Sequence, residues 1–91
     1  MNKWYVYILQ CGGGRFYTGM TNDVEHRLRM HKSGKGGHFT RAFGVKRLLY
    51  TEKQPTRSAA LKREAQIKRL TKKEKIALIK IKKSERKKRE I

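Results

Sequence analysis

Acidic residues are what this chain has least of: seven Asp and Glu stand against twenty-five Lys and Arg, a net charge of +18 over 91 residues. A compact body with so much charge of one sign repels itself unless a polyanion neutralises it. Nucleic acid is the expected partner, because phosphate neutralisation releases condensed counterions. An anionic membrane surface is the competing partner, but the helical stretches lack the broad Trp/Phe/Leu face of an interfacial anchor. A single cysteine, Cys11, excludes an internal disulfide, so no disulfide partner is expected and a reducing compartment fits. Together with His26, His31 and His38 it cannot build a zinc site of the CxxC type. No apolar run approaches the roughly 20 residues that span a bilayer. Met1–Leu9 is too short and too interrupted for a signal peptide. A cytoplasmic protein is therefore expected.

Hydrophobic residues make up only 36% of the chain. At this length one domain burying roughly 60% of its extended surface is expected, around a thin core. Lys3–Gln10 is aromatic and β-branched, which favours a strand with Tyr5, Tyr7 and Leu9 on one face and Trp4, Val6 and Ile8 on the other. Gly12, Gly13 and Gly14 break it, and Arg15–Met20 reads as the second strand of an antiparallel hairpin. Asn22 is the expected N-cap of a helix over Asp23–Lys32, with Glu25 as its capping-box partner. Ser33–Gly44, rich in glycine and cations, reads as a flexible loop. Val45–Glu52 reads as a third strand, and Pro55 and Thr56 open a helix to about Leu70. Thr71-Lys-Lys-Glu74 is a capping-box signature for a further helix. The order β-β-α-β-α-α predicts an α+β fold: a small three-stranded antiparallel sheet flanked by helices. One folded domain is expected over 1–80, followed by a disordered basic tail at 81–91.

Several residues stand out for their chemistry. Tyr7 lies in the first strand, and Tyr17-Thr18-Gly19 ends the second. Arg27 and His31, four apart, share a helix face. Glu64 lies between Leu61 and Ile67 at an inward-facing helical position, where a carboxylate is unfavourable unless it meets a cation or metal. Phosphodiester hydrolysis needs a metal at the phosphate, a cation for the charge on its non-bridging oxygens, and a base for water. Glu64 could hold Mg²⁺ or Mn²⁺, Arg27 could supply the permanent cation, and a tyrosine or His31 could take the proton.

In Val6-Tyr7-Ile8, Tyr17-Thr18-Gly19-Met-Thr-Asn22, Arg27-Leu-Arg-Met-His31 and Glu64, the chain resembles the GIY-YIG nuclease superfamily, over about residues 3 to 79. It is most similar to the small bacterial stand-alone members of the UPF0213 group. The resemblance implies a GIY-YIG-like nuclease domain and a divalent-metal-dependent endonuclease. Tyr7 and Tyr17 then match the motif tyrosines, with Tyr17 the general-base candidate, and Gly19 matches the glycine allowing close approach. Arg27 matches the catalytic arginine, His31 a histidine of some branches, and Glu64 the metal-binding glutamate. Tyr5 stands where the first tripeptide usually has glycine, and Met20 replaces a lysine of repair-type members. The asparagine that often follows the glutamate has no clear counterpart.

Each assignment has an ordinary alternative. Tyr7 could be a core aromatic, Arg27 a surface cation, His31 a helix-end packing residue, and Glu64 an i,i+4 partner of Lys68. Lys35, His38, Thr40 and Arg41 are expected to contact phosphate, and otherwise to be solvated. The expected activity is phosphodiester hydrolysis in nucleic acid, DNA favoured over RNA, with specificity from substrate shape or a targeting protein. The alternative is a non-catalytic basic nucleic-acid-binding module, with a ribosome-associated protein as a third reading.

Overall fold

The computed structural model describes residues 3–89. Its sheet has three antiparallel strands: β1 (Trp4–Cys11) in the centre, β2 (Phe16–Thr21) on one side and β3 (Val45–Gln54) on the other. Helices follow the strands as α1 (Val24–Lys32), α2 (His38–Phe43), α3 (Arg57–Arg69) and α4 (Lys72–Arg89). The α+β arrangement expected from the sequence is the one observed, with one helix added.

Strand alternation gives β1 two different faces, and both are covered. Val6 and Ile8 pack with Tyr50 of β3, Ala60 and Ile67 of α3 and Ile79 of α4. Tyr7, Leu9 and Cys11 pack on the opposite side with Tyr17, Leu28 of α1, Phe39 of α2 and Leu48. Helices α1 and α3 thus take opposite faces of the sheet. A central strand buried on both sides explains why Val6 to Leu9 is a continuous apolar run.

Capping fixes the helix starts. Thr56 accepts a hydrogen bond from the backbone N–H of Ala59 at 3.0 Å, as expected. At Thr71 and Glu74 the capping box closes in both directions, at 2.8 and 3.2 Å. The start of α1 corrects the expectation: Asp23, not Asn22, is the N-cap, accepting from the N–H of His26 at 3.1 Å. Thr21 explains the shift, since its hydroxyl accepts from the N–H of Asp23 at 3.0 Å and carries the turn one residue further.

The Ser33–Gly44 stretch is also corrected, because α2 lies within it. Gly37 (φ 138°) and Gly44 (φ 72°) bound that helix, so these glycines are its ends. Between them Phe39 and Phe43, four apart, meet with ring centroids 5.0 Å apart. At the other end α4 continues to Arg89, across most of the stretch from 81 for which a tail was expected; 90 and 91 lie outside the described residues. Among the described residues no helix is long and apolar enough to cross a membrane.

A fold this small depends on few side chains. Ile67→Ala, at a fully buried position, is expected to lower the unfolding free energy by about 2–5 kcal/mol. Leu61→Ala, at a 52% exposed position six residues earlier on the same helix, should change it by less than about 0.5 kcal/mol. Urea titration of both variants checks the contrast.

Candidate active site

Cross-strand pairing builds the floor of the site. Tyr7 of β1 lies opposite Gly19 of β2, and Leu9 opposite Tyr17, so both phenols share the α1 face. A Cβ on Gly19 would meet the Tyr7 hydroxyl and come within 2.6 Å of its Cζ, and within 3.1 Å of a Tyr17 ring carbon. The backbone at Gly19 does not need a positive φ. Glycine is required there because two aromatic rings crowd the space of a side chain.

Above this floor α1 presents His31, fully buried despite its polarity. Its Nε2 is hydrogen-bonded to the Tyr7 hydroxyl at 2.8 Å, and its Nδ1 to the Thr40 hydroxyl at 2.8 Å. Both ring nitrogens are therefore satisfied, as a buried imidazole requires. The Tyr17 ring stands edge-on to His31, with centroids 5.0 Å apart. Gly36 closes the other side: a Cβ there would lie 2.7 Å from the His31 Cγ. Arg27, one turn before His31, donates to the Gly36 carbonyl at 2.9 Å. That bond aims the guanidinium and uses one of its five N–H groups.

Glu64 comes from α3. It shares a helix face with the buried Ala60 and Ile67, so it is inward-facing as expected, although Leu61 is not on that face and is exposed. Its side chain is 16% exposed and lies 3.5 Å from the Lys68 ammonium. The ordinary i,i+4 pairing is thus present, and the carboxylate is also electrostatically part of the cluster. Burial first, and then the charges of Tyr17 and Glu64, push the Tyr7 phenol up to about 12 against the opposing pull of Arg27. Burial, with Arg27 adding to it, holds the His31 imidazole below its ordinary range. At neutral pH the site therefore has a protonated Tyr7 and an uncharged His31.

The structure brings Tyr7, Tyr17, Gly19, Arg27, His31 and Glu64 together. Lys35, His38 and Arg41 are exposed and line an open cleft with Gly34 and Gly37. Thr40 does not join them. It is 1% exposed and bonded to His31, so it cannot meet a phosphate; it sits on the inner side of α2. Thr40 as the imidazole's partner and Phe39 as the neighbour of Tyr17 (centroids 5.8 Å) were missed in the sequence. The spacing of Phe39, Thr40 and Phe43 between two glycines was the available signal. Cys11 is buried at the end of β1, where burial pushes its thiol up.

Comparison with known proteins agrees with this geometry. The family model described as the GIY-YIG catalytic domain matches residues 3–77. A UPF0213 protein of Streptococcus sanguinis is 48% identical over 79 residues, covering 87% of this chain and 91% of that one. Another, of Oceanobacillus iheyensis, is 46% identical over 81 residues, covering 89% and 94%. The solution NMR structure of a UPF0213 protein from Bacillus halodurans superposes with a TM-score of 0.57 at 41% identity, covering 88% and 85%. That of a protein from E. faecalis gives 0.61 at 42%, covering 89% and 86%.

Two measurements test the site as a built unit. Gly19→Ala should destabilise the fold by about 1–3 kcal/mol, as overpacking does, and should perturb the ring resonances of Tyr7 and Tyr17. For His31, the unfolded chain takes up a proton near the ordinary value of 6.5 and the folded chain only at lower pH. The stability linked to it is complete above that value and is lost as pH falls below it. Denaturant titrations from about pH 8 down to about pH 5 should show the decline, and His31→Gln should flatten it. Parallel curves for the two proteins would contradict this account of the imidazole.

Proposed function

This chain belongs to the GIY-YIG catalytic domain family, and from that premise we propose that it hydrolyses phosphodiester bonds in nucleic acid as a divalent-metal-dependent endonuclease. The observation that carries the proposal is the gathering of two phenols, a guanidinium, an imidazole and one carboxylate from four elements around Tyr7. A core needs none of this polarity.

The donor set at Glu64 suits a hard cation. No group of three or more His, Cys, Asp or Glu that could enclose an ion occurs among the described residues. Magnesium, however, keeps several waters and accepts one or two carboxylates with substrate phosphate oxygens. Glu64 would hold such an ion. When bound, the ion supplies polarisation of the phosphate and stabilisation of the leaving oxygen.

The other roles follow from the chain's own groups. Arg27, aimed by the Gly36 carbonyl, has donors left for the non-bridging oxygens, where negative charge builds. Tyr17 is half-buried and is the phenol that substrate and water can reach. Tyr7 is buried behind it, and its raised pKa makes it a poor base. Its hydroxyl instead fixes His31, buried and bonded through both ring nitrogens, as a support beside Tyr17, and Tyr17 is the group placed to take the proton from water. Lys35, His38 and Arg41 extend the cationic surface along the strand, with DNA as the favoured substrate over RNA.

The same net charge of +18 also supports the plainer reading, a basic module that binds nucleic acid without cutting it. Cleavage separates the two. With Mg²⁺ or Mn²⁺ the protein should nick branched, single-stranded or duplex DNA. Arg27→Ala and Glu64→Ala should each slow that by about 10²-fold or more, with DNA affinity kept within about threefold for Glu64→Ala. Absence of any metal-dependent cut, with binding intact, would leave only the module.

A further inference from the structure

A second cationic cleft lies beside the β1–β2 hairpin turn, and neither Arg27 nor Glu64 lines it. Arg15, Phe16, Phe39, Lys72 and Lys75 line it, and its volume is about 380 Å³. Two of its cations are held in place. The Arg15 guanidinium lies 4.0 Å from the centre of the Phe43 ring and donates to the Gly12 carbonyl at 3.1 Å. The Lys72 ammonium donates to the Gly14 carbonyl at 2.6 Å and lies 5.2 Å from the centre of the Phe16 ring. One glycine turn, Gly12–Gly14, thus anchors both from its carbonyls.

No carboxylate answers these charges: among the described residues the ion pairs are Arg63–Glu52 and Lys68–Glu64. Long cationic side chains on a surface are usually mobile. Fixing two of them on carbonyls and ring faces removes the entropy loss that anion binding otherwise carries. The lining also includes aromatic rings, so the fitting ligand combines an anion with a flat apolar group. A nucleotide has both. Phe39 moreover links the cleft to the candidate active site, its ring centroid lying 5.8 Å from that of Tyr17.

We propose that this cleft is a second substrate subsite, which takes an unpaired base and its phosphate on one side of the bond presented to Tyr17 and Arg27. The base must be unpaired because a duplex already covers both faces of its bases, whereas a splayed base can lie on an aromatic ring. Arg15, Lys72 and Lys75 take the phosphate. The protein therefore favours a strand whose pairing ends beside the cut. What is cut rests on the nuclease reading; what is bound does not.

Binding tests it with cleavage switched off. In EDTA, fluorescence anisotropy of the full chain would be measured on a labelled duplex and on the same duplex with a single-stranded extension, each in DNA and in RNA. The extension should raise affinity about fivefold or more in at least one of the two. Arg15→Gln with Lys72→Gln should abolish that gain. Lys46→Gln with Lys62→Gln, the same charge loss at exposed positions elsewhere, should lower both affinities and keep it. A 2-aminopurine in the extension should change its fluorescence on binding, and less so with Phe39→Leu. Equal affinity of the native chain for both substrates overturns the subsite, and so does an equal effect of the two double variants. Loss of cleavage with the preference intact would count against the nuclease reading alone.

Discussion

A phenol hydroxyl and an imidazole, both shut away from water, hold this structure to one arrangement. Tyr7 belongs to the central strand and His31 to α1, and a 2.8 Å hydrogen bond joins them. A buried polar atom without a partner costs about 1–3 kcal/mol, so separating them would leave the His31 Nε2 unsatisfied. Thr40 adds a third element, because its hydroxyl satisfies the remaining ring nitrogen and ties α2 to α1. Gly19 and Gly36 are consequences of this arrangement. They stand where the phenol and the imidazole leave no room for a Cβ.

The scarcity of carboxylates shapes the rest. Asp23 caps α1, Glu74 closes the box at the start of α4, and Glu52 receives hydrogen bonds from Tyr50 and Arg63. These placements are structural, and among the described residues the ion pairs are Arg63–Glu52 and Lys68–Glu64. Glu64 is the carboxylate placed against the cluster around Tyr7. In a chain of +18, an acidic side chain kept half-buried beside a phenol, an imidazole and a guanidinium is opposite in sign to the surface that attracts substrate. On the proposed reading, long-range attraction would bring a polyanion to the protein, and a single negative site within it would give a divalent cation a place to sit.

The sequence was informative where local rules act alone. Strand alternation assigned Trp4, Val6 and Ile8 to one face and Tyr7 and Leu9 to the other, and the Thr56 and Thr71 caps fell where side-chain chemistry put them. It failed at 33–44, where glycines that end a short helix look the same as glycines that loosen a loop. Thr40 was misplaced for the same reason, since its role depends on a ring nine residues away whose position the sheet decides. Asn22 lost the cap to Asp23 because the hydroxyl of Thr21, at the end of β2, reached the next backbone N–H first. The candidate site residues were singled out as a set of motifs. Their proximity depends on pairing between Tyr7 and Gly19, which no local pattern specifies.

Adjacent residues on α3 show how the fold separates holding from chemistry. Arg63 turns towards β3, where its Nε donates to the Glu52 carboxylate at 2.8 Å and its Nη1 to the Gln66 side-chain carbonyl. Burial alone would push Glu52 up, but the hydrogen bonds from Arg63, Tyr50 and Gln54 outweigh it and hold the carboxyl below its usual range. Such a pair contributes modestly to stability, yet its geometry is directional, and it fixes both the rotation and the height of α3 on the sheet. Glu64 is the next residue. A helix turns about 100° per residue, so once Arg63 is fixed on the third strand, Glu64 has a set direction. Ala60 and Ile67, buried against Val6 and Ile8, remove the remaining freedom of the helix to roll. The carboxylate is therefore presented to the cluster around Tyr7 with the exposed Lys68 ammonium 3.5 Å from it, a partner that the proposed metal ion would displace.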